Sequence, residues 1–134
     1  MRAVTRLLLA VFLAGSTVAL LAATAQQNSM PSANVKTMAG ILATLNHFAS
    51  DAEKKTLQGI VASESATAHE KTLATALLNL QHTVTPADKT KLDALMKDES
   101  APAPVRTIAG ILSRLNHAAS ATEKAELTKL AAAA

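Results

Sequence analysis

The sequence predicts an all-α protein: three tandem 35-residue helix-hairpin repeats, six short helices in total, packed as a short α-solenoid or a compact helical bundle behind an N-terminal signal peptide. Three observations carry this expectation. The segments VKTMAGILATLNHFASDAEKKTLQGI, EKTLATALLNLQHTVTPADKTKLDAL and VRTIAGILSRLNHAASATEKAELTKL align without a gap at a spacing of 35 residues, and a fixed period of this length is the mark of a repeat architecture. Within each copy the apolar residues recur at helical spacing, as in Met38, Ile41, Leu42 and Leu45. Runs that alternate apolar and polar residues, as strands do, do not occur.

The elements follow in chain order. Met1, Arg2 and Arg6 give a positive start, Leu7 to Leu21 form an apolar run, and Ala23-Thr24-Ala25 is an A-x-A cleavage pattern before Gln26. That layout is a secretory signal peptide, so residues 1–25 are assigned to it. Residues 26–134 then form a single all-α domain whose units span 35–61, 70–96 and 105–131. The first helix of each unit carries the matched columns Thr37/Thr72/Thr107, Leu42/Leu77/Leu112 and Leu45/Leu80/Leu115. The second helix starts after a capping signal. Ser50 precedes Glu53 and Ser120 precedes Glu123, each a capping box in which side chains satisfy free backbone N–H groups. Thr85 precedes Pro86, whose fixed φ suits a first helical position. Leu57, Leu92 and Leu127 head the apolar faces of these second helices. The polar stretches 62–69 and 97–104 separate the units; Thr67 with Glu70 is a further capping box, and Pro104 marks the start of the fifth helix. Gly40 and Gly110 interrupt first helices, where Gly costs about 1 kcal/mol against Ala. Close helix packing is the expected reason. The period is near the ~34 residues of a tetratricopeptide unit, but the Trp and Tyr of that pattern are absent.

Composition narrows function by exclusion. Once the signal is removed, 11 Lys/Arg face 10 Asp/Glu, both signs mixed along the chain. Phe48 is then the single aromatic residue. Nucleic-acid binding needs a basic face and often stacking aromatics, so no nucleic-acid partner is expected. The chain has no cysteine, which excludes disulfides and thiolate chemistry. Stable membrane insertion is not expected after cleavage, and the destination is periplasmic or secreted. There is no HExxH, GxSxG or phosphate-binding loop, and the repeated Ser, Thr and acidic residues sit where caps and helix dipoles want them. The expectation is therefore a non-enzymatic exported repeat protein without cofactor. It would act as a protein-interaction or structural module, through an unidentified protein partner or self-association.

One repeated feature bears on chemistry. LNHFAS, LQHTVT and LNHAAS place His47, His82 and His117 at the same point of each unit. The structural reading puts each histidine in the last turn of a first helix, where a donor suits the free carbonyls. The alternative is a periplasmic metal- or haem-binding protein that uses His47, His82 and His117 as ligands. In an open stack, equivalent positions lie at least a helix diameter of ~10 Å apart, too far to share an ion. A closed threefold bundle could bring them together. Asn46, Gln81 and Asn116 flank the histidines in place of the carboxylates that often orient metal-bound imidazole. His69 occurs in one linker alone and reads as solvated. Lys54, Lys89 and Lys124 read as a solvated face, or as a row for an acidic partner.

Overall fold

The computed structural model describes residues 30–134; the signal peptide expected at 1–25 lies outside the described residues. Among the described residues there are six α-helices: α1 Ala33–Thr44, α2 Asp51–Ala62, α3 Ala68–Asn79, α4 Pro86–Lys97, α5 Ala103–Ser113 and α6 Ala121–Ala132. There is no strand among the described residues. The odd helices begin at residues 33, 68 and 103 and the even ones at 51, 86 and 121, a spacing of 35 in each set.

Caps set these starts. The capping boxes at Ser50, Thr67 and Ser120 are complete in both directions. Thr85 accepts from the Asp88 N–H, with Pro86 at the first helical position. Ser32 caps α1 by accepting from the Val35 N–H. Each such cap satisfies a backbone donor that the helix cannot, and is worth ~1 kcal/mol. At α5 the entry is Pro102 with no side-chain cap.

The core repeats column by column. Met38, Leu73 and Ile108 are wholly buried, and so are Leu42, Leu77 and Leu112. Ala39, Ala74 and Ala109 are buried beside them, small enough for neighbouring helices to approach. Leu57, Leu92 and Leu127 bring the even helices onto the same core. Burying one such leucine contributes roughly 1.5–3 kcal/mol, so these aligned columns are the main source of cohesion. Two columns are broken: Glu70 stands where the other copies have Val35 and Val105, and Ser113 where they have Ala43 and Leu78, and both are buried.

Helix partners differ from the hairpins expected within each unit. The extensive contacts are α2 with α3, α4 with α5, and α6 with α1, while α1 barely touches α2. The three odd helices also touch one another. Helices therefore pair across the polar linkers, and the last helix closes on the first. The cause lies in the connectors at 45–50, 80–85 and 115–120. Leu45 and Leu80 adopt extended backbone (ψ 131° and 128°), as does the cap residue that ends each connector. The chain is carried away from its own first helix before the next one starts. Leu45, Leu80 and Leu115 fold under as buried plugs, between 2% and 5% exposed.

The glycines divide. A Cβ at Gly40 would lie 3.9 Å from the Ala131 Cβ on α6, an ordinary contact. The approach of α1 and α6 thus leaves room for alanine, contrary to the expectation from sequence. At Gly110 a Cβ would meet Met96 Sδ at 3.2 Å, a tight fit that agrees with a packing role.

Candidate metal centre

Closure of α6 on α1 gathers the three connectors at one end of the bundle, and His47, His82 and His117 come with them. Their ring centroids are 5.3 Å (His47–His82), 5.4 Å (His47–His117) and 5.1 Å (His82–His117) apart. One ring nitrogen from each lies within 4.8 Å of the others. His47 is half-buried; His82 and His117 are exposed. The group therefore sits at the surface with one side open to solvent.

The histidines do not occupy the last turns of the first helices. α1 ends at Thr44, α3 at Asn79 and α5 at Ser113, so each histidine follows the helix, at the crest of its connector. The backbone there is unusual. His47 has φ 74° and His117 φ 67°, in the left-handed region that few non-glycine residues adopt. Around His117, the Ala118 N–H donates to the Asn116 carbonyl at 2.9 Å. A bond of this reach around a positive φ is a tight, strained turn. The crests are joined through the backbone as well: the His47 N–H donates to the His117 carbonyl (3.0 Å) and the His117 N–H to the His82 carbonyl (2.8 Å). His82 makes no matching bond to His47 among the described residues, and its φ is negative.

The expected joint through the imidazole rings is therefore not seen; peptide groups link the crests instead. The rings cap no helix carbonyl among the described residues. The single ring hydrogen bond joins His117 Nδ1 to Asn116 Oδ1 at 2.6 Å. With Nδ1–H as the donor, Nε2 of His117 keeps its lone pair. An amide here does the orienting work that a carboxylate often does behind a metal-bound imidazole.

Three carboxylates at this end are engaged in holding caps, while Asp51 is fully exposed and lies 4.0 Å from Lys54. Glu53 accepts from Ser50, and Asp88 from Thr85 and Asn79. Glu123 accepts from Ser120 and from Arg114. The Ser120 backbone N–H first, with the Ser120 hydroxyl and Arg114 behind it, holds the Glu123 carboxyl below its usual range against a modest effect of burial. The convergent set is accordingly three imidazoles with no acidic member. Tetrahedral ligation at ~2.0–2.1 Å requires ligand nitrogens about 3.3 Å apart. The separations exceed that figure by up to roughly 1.5 Å, so ligation would require the rings to turn toward one another. Three imidazoles suit Zn²⁺, Cu²⁺, Ni²⁺ or Co²⁺, and suit Mg²⁺ or Ca²⁺ poorly.

Other sequence candidates fall elsewhere. His69, expected to be solvated, is half-buried and pairs with Asp98 at 3.0 Å. Lys54 Nζ lies 5.6 Å from the Phe48 ring centroid. Lys89 bonds Asp93 and Ser113, and Ser113 in turn donates to Asp93 at 2.6 Å. The three lysines therefore do not form one equivalent row. The Ser113 and Glu70 networks were not foreseen from sequence, although both residues break an otherwise apolar repeat column and could have been found there. No family model, no curated protein and no solved structure matches this chain.

Proposed function

We propose that this protein is an exported binder of a borderline transition-metal ion, held by His47, His82 and His117. The observation that carries the reading is the approach of three ring nitrogens to within 4.8 Å of one another from positions 35 residues apart in the chain. Strain supports it. If the crest at His47 and His117 served the turn alone, glycine would adopt the same φ without penalty. A side chain at a position that glycine would fill at no backbone cost is a sign that the side chain is used. The orienting bond from His117 to Asn116 adds to this.

A metal ion fits better than haem. A haem iron takes axial ligands on opposite faces of a flat ring. Three imidazoles whose nitrogens lie within 4.8 Å of one another leave no plane for a macrocycle. A surface for protein partners, the first expectation from sequence, has no side-chain arrangement of comparable specificity among the described residues. The same reading takes residues 26–134 as three duplicated units behind a cleaved export signal. The 35-residue recurrence of helix starts favours that view, and among the described residues no helix is long and apolar enough to cross a membrane.

The test is calorimetric titration of untagged protein with Zn²⁺, Cu²⁺ and Ni²⁺, with Mg²⁺ as the control. One ion per chain is expected, with Mg²⁺ silent. His82→Ala should weaken binding by more than the ~10–100-fold that an outer-shell partner contributes. Equal binding by wild type and His82→Ala, or none by either, overturns the proposal.

A further inference from the structure

The helices close a ring of three equivalent pairs. Two pairs are held by short linkers: residues 63–67 join α2 to α3, and residues 98–102 join α4 to α5. The third pair, α6 with α1, has no linker, and its helices are joined only through the rest of the ring. α6 is also the helix its neighbours hold least. It packs on α1, lightly on α5, and on no other helix among the described residues. α2 buries Leu57 and Ile60, and α4 buries Asp88, Leu92 and Leu95, whereas α6 buries Leu127 alone.

The α6–α1 seam is filled less than its counterpart. Ala131 and Gly40 meet there, at the positions that Met96 and Gly110 hold between α4 and α5. A Cβ on Gly110 would meet Met96 at 3.2 Å, but one on Gly40 would reach Ala131 only at 3.9 Å. An element with few buried apolar contacts opens at less cost than the core does. The connector 114–120 is the hinge for that opening. Within it, His117 is held at φ 67°, a strain that an extended connector releases. Two backbone bonds oppose the opening, from the His47 N–H to the His117 carbonyl and from the His117 N–H to the His82 carbonyl.

Opening uncovers the face of α1 on which α6 lay, and with it the Leu127 face of α6. Each of these faces fits a helix that every copy of the chain carries. A second copy therefore offers the same contacts, which is how identical elements exchange between protomers. We propose that α6 of the metal-free protein exchanges onto α1 of a second copy, and that an ion on His47, His82 and His117 holds it on its own chain. The ion would tie the hinge residue His117 to the other two crests. This second half rests on the metal reading above; the exchange itself does not.

The chain has no cysteine, so introduced thiols have no native competitor. A Cβ–Cβ distance of 3.9 Å at the seam suits a disulfide. Untagged Gly40→Cys and Ala131→Cys variants are mixed in chelator and then oxidised. Exchange brings the two thiols together from different chains and yields the mixed disulfide. Gly59→Cys mixed with Ala131→Cys measures random collision, because Gly59 is exposed and has nothing near it. The mixed seam disulfide should form about tenfold faster than that control, because docking raises the effective concentration of one thiol at the other. Equal rates overturn the exchange and leave the metal site standing. Sedimentation of the unmodified chain tests the role of the ion. Dimer should grow with protein concentration in chelator, and free Zn²⁺ at 100 times its dissociation constant should cut the opened population about 100-fold. A chain that stays monomeric in chelator at every concentration also overturns the exchange. A dimer fraction that bound zinc leaves unchanged or raises overturns the hold of the ion. If calorimetry finds no zinc bound, the metal reading falls and the hold of the ion with it, while the disulfide still decides the exchange.

Discussion

The two ends of this bundle use polar residues in opposite ways. At the end where α1, α3 and α5 start, the polar groups are unlike one another and each is satisfied. The Ser32 hydroxyl donates to Glu70, Asn34 Nδ2 donates to it at 3.3 Å, and the Thr67 N–H at 2.8 Å. His69 meets Asp98, which also accepts from Ser100. At the end where those helices stop, one residue type is used three times, and two of its three rings make no hydrogen bond within the described chain. Asymmetric, satisfied contacts hold particular helices in place. Like groups that converge, face solvent and lack partners are suited to a ligand from outside. The fate of histidine makes the point: His69 serves as a tie between α3 and the end of α4, while among the described residues the rings of His47 and His82 make no hydrogen bond and that of His117 bonds only Asn116.

The largest expected effect sharpens that contrast through stability. An ion bound at the crests would join connectors 35 and 70 residues apart in sequence, and binding to the folded state alone would add stability by mass action. Free Zn²⁺ at 100 times its dissociation constant should raise the unfolding free energy by about 2.7 kcal/mol. Urea melts with zinc and with chelator measure this. The gain should vanish in His82→Ala and persist in Glu70→Ala. If His82→Ala retains the zinc gain, the division of labour between the two ends is wrong.

The opposite end is tested by Glu70. Its removal leaves Ser32 and Asn34 without their acceptor inside the fold, and a lost partner in a buried network costs roughly 1–3 kcal/mol. Glu70→Ala should therefore lower the unfolding free energy by roughly 1–3 kcal/mol, read as a lower urea midpoint, without changing zinc affinity. The charge gives a second readout. Burial pushes the Glu70 carboxyl up, but the Ser32 hydroxyl and the Thr67 N–H, with Asn34 behind them, outweigh it and hold the group below its ordinary value of 4.5. A carboxyl depressed by folding stabilises the protein fully above its unfolded-state value and ceases to do so as pH falls through the folded one. The stability gap between wild type and Glu70→Gln should thus be constant above about pH 4.5 and close below it. Zinc affinity should respond differently. It declines on acidification because a protonated imidazole has no lone pair to offer, and Glu70→Gln should not alter that decline.

Much of the scaffold could be read in the chain. Ser50, Thr67, Thr85 and Ser120 announce their helices because a cap is a local interaction, complete within four residues. The buried columns 42/77/112 and 57/92/127 followed from periodicity. Helix partners did not, since they depend on where the connectors send the chain, and that is decided by a few backbone angles around Leu45 and His47. The convergence of the histidines was left open for the same reason: an open stack and a closed bundle share one repeat pattern, and the contact of α6 with α1 that separates them spans nearly the whole domain. His69 was misread because its partner, Asp98, belongs to a different linker. Gly40 was misread because composition reports a missing Cβ without reporting the space around it.

The smallest effect is the most discriminating, because one substitution should act with opposite signs at equivalent crests. His47 is held at φ 74°. A residue with a Cβ loses roughly 1–2 kcal/mol in that region, where glycine loses nothing. Glycine in turn brings a more flexible unfolded chain, worth about 0.5–1 kcal/mol against it. His47→Gly should therefore leave the metal-free protein as stable as wild type or more stable by up to about 1.5 kcal/mol. His82 has no positive φ to relieve, so His82→Gly bears the flexibility penalty alone and should lose about 0.5–1 kcal/mol. Both variants should lose zinc. Paired urea melts in chelator, followed by zinc titration, separate the two quantities. Should His47→Gly prove clearly destabilising without metal, the His47 ring supports the turn itself, and the claim that strain is kept there for ligation falls.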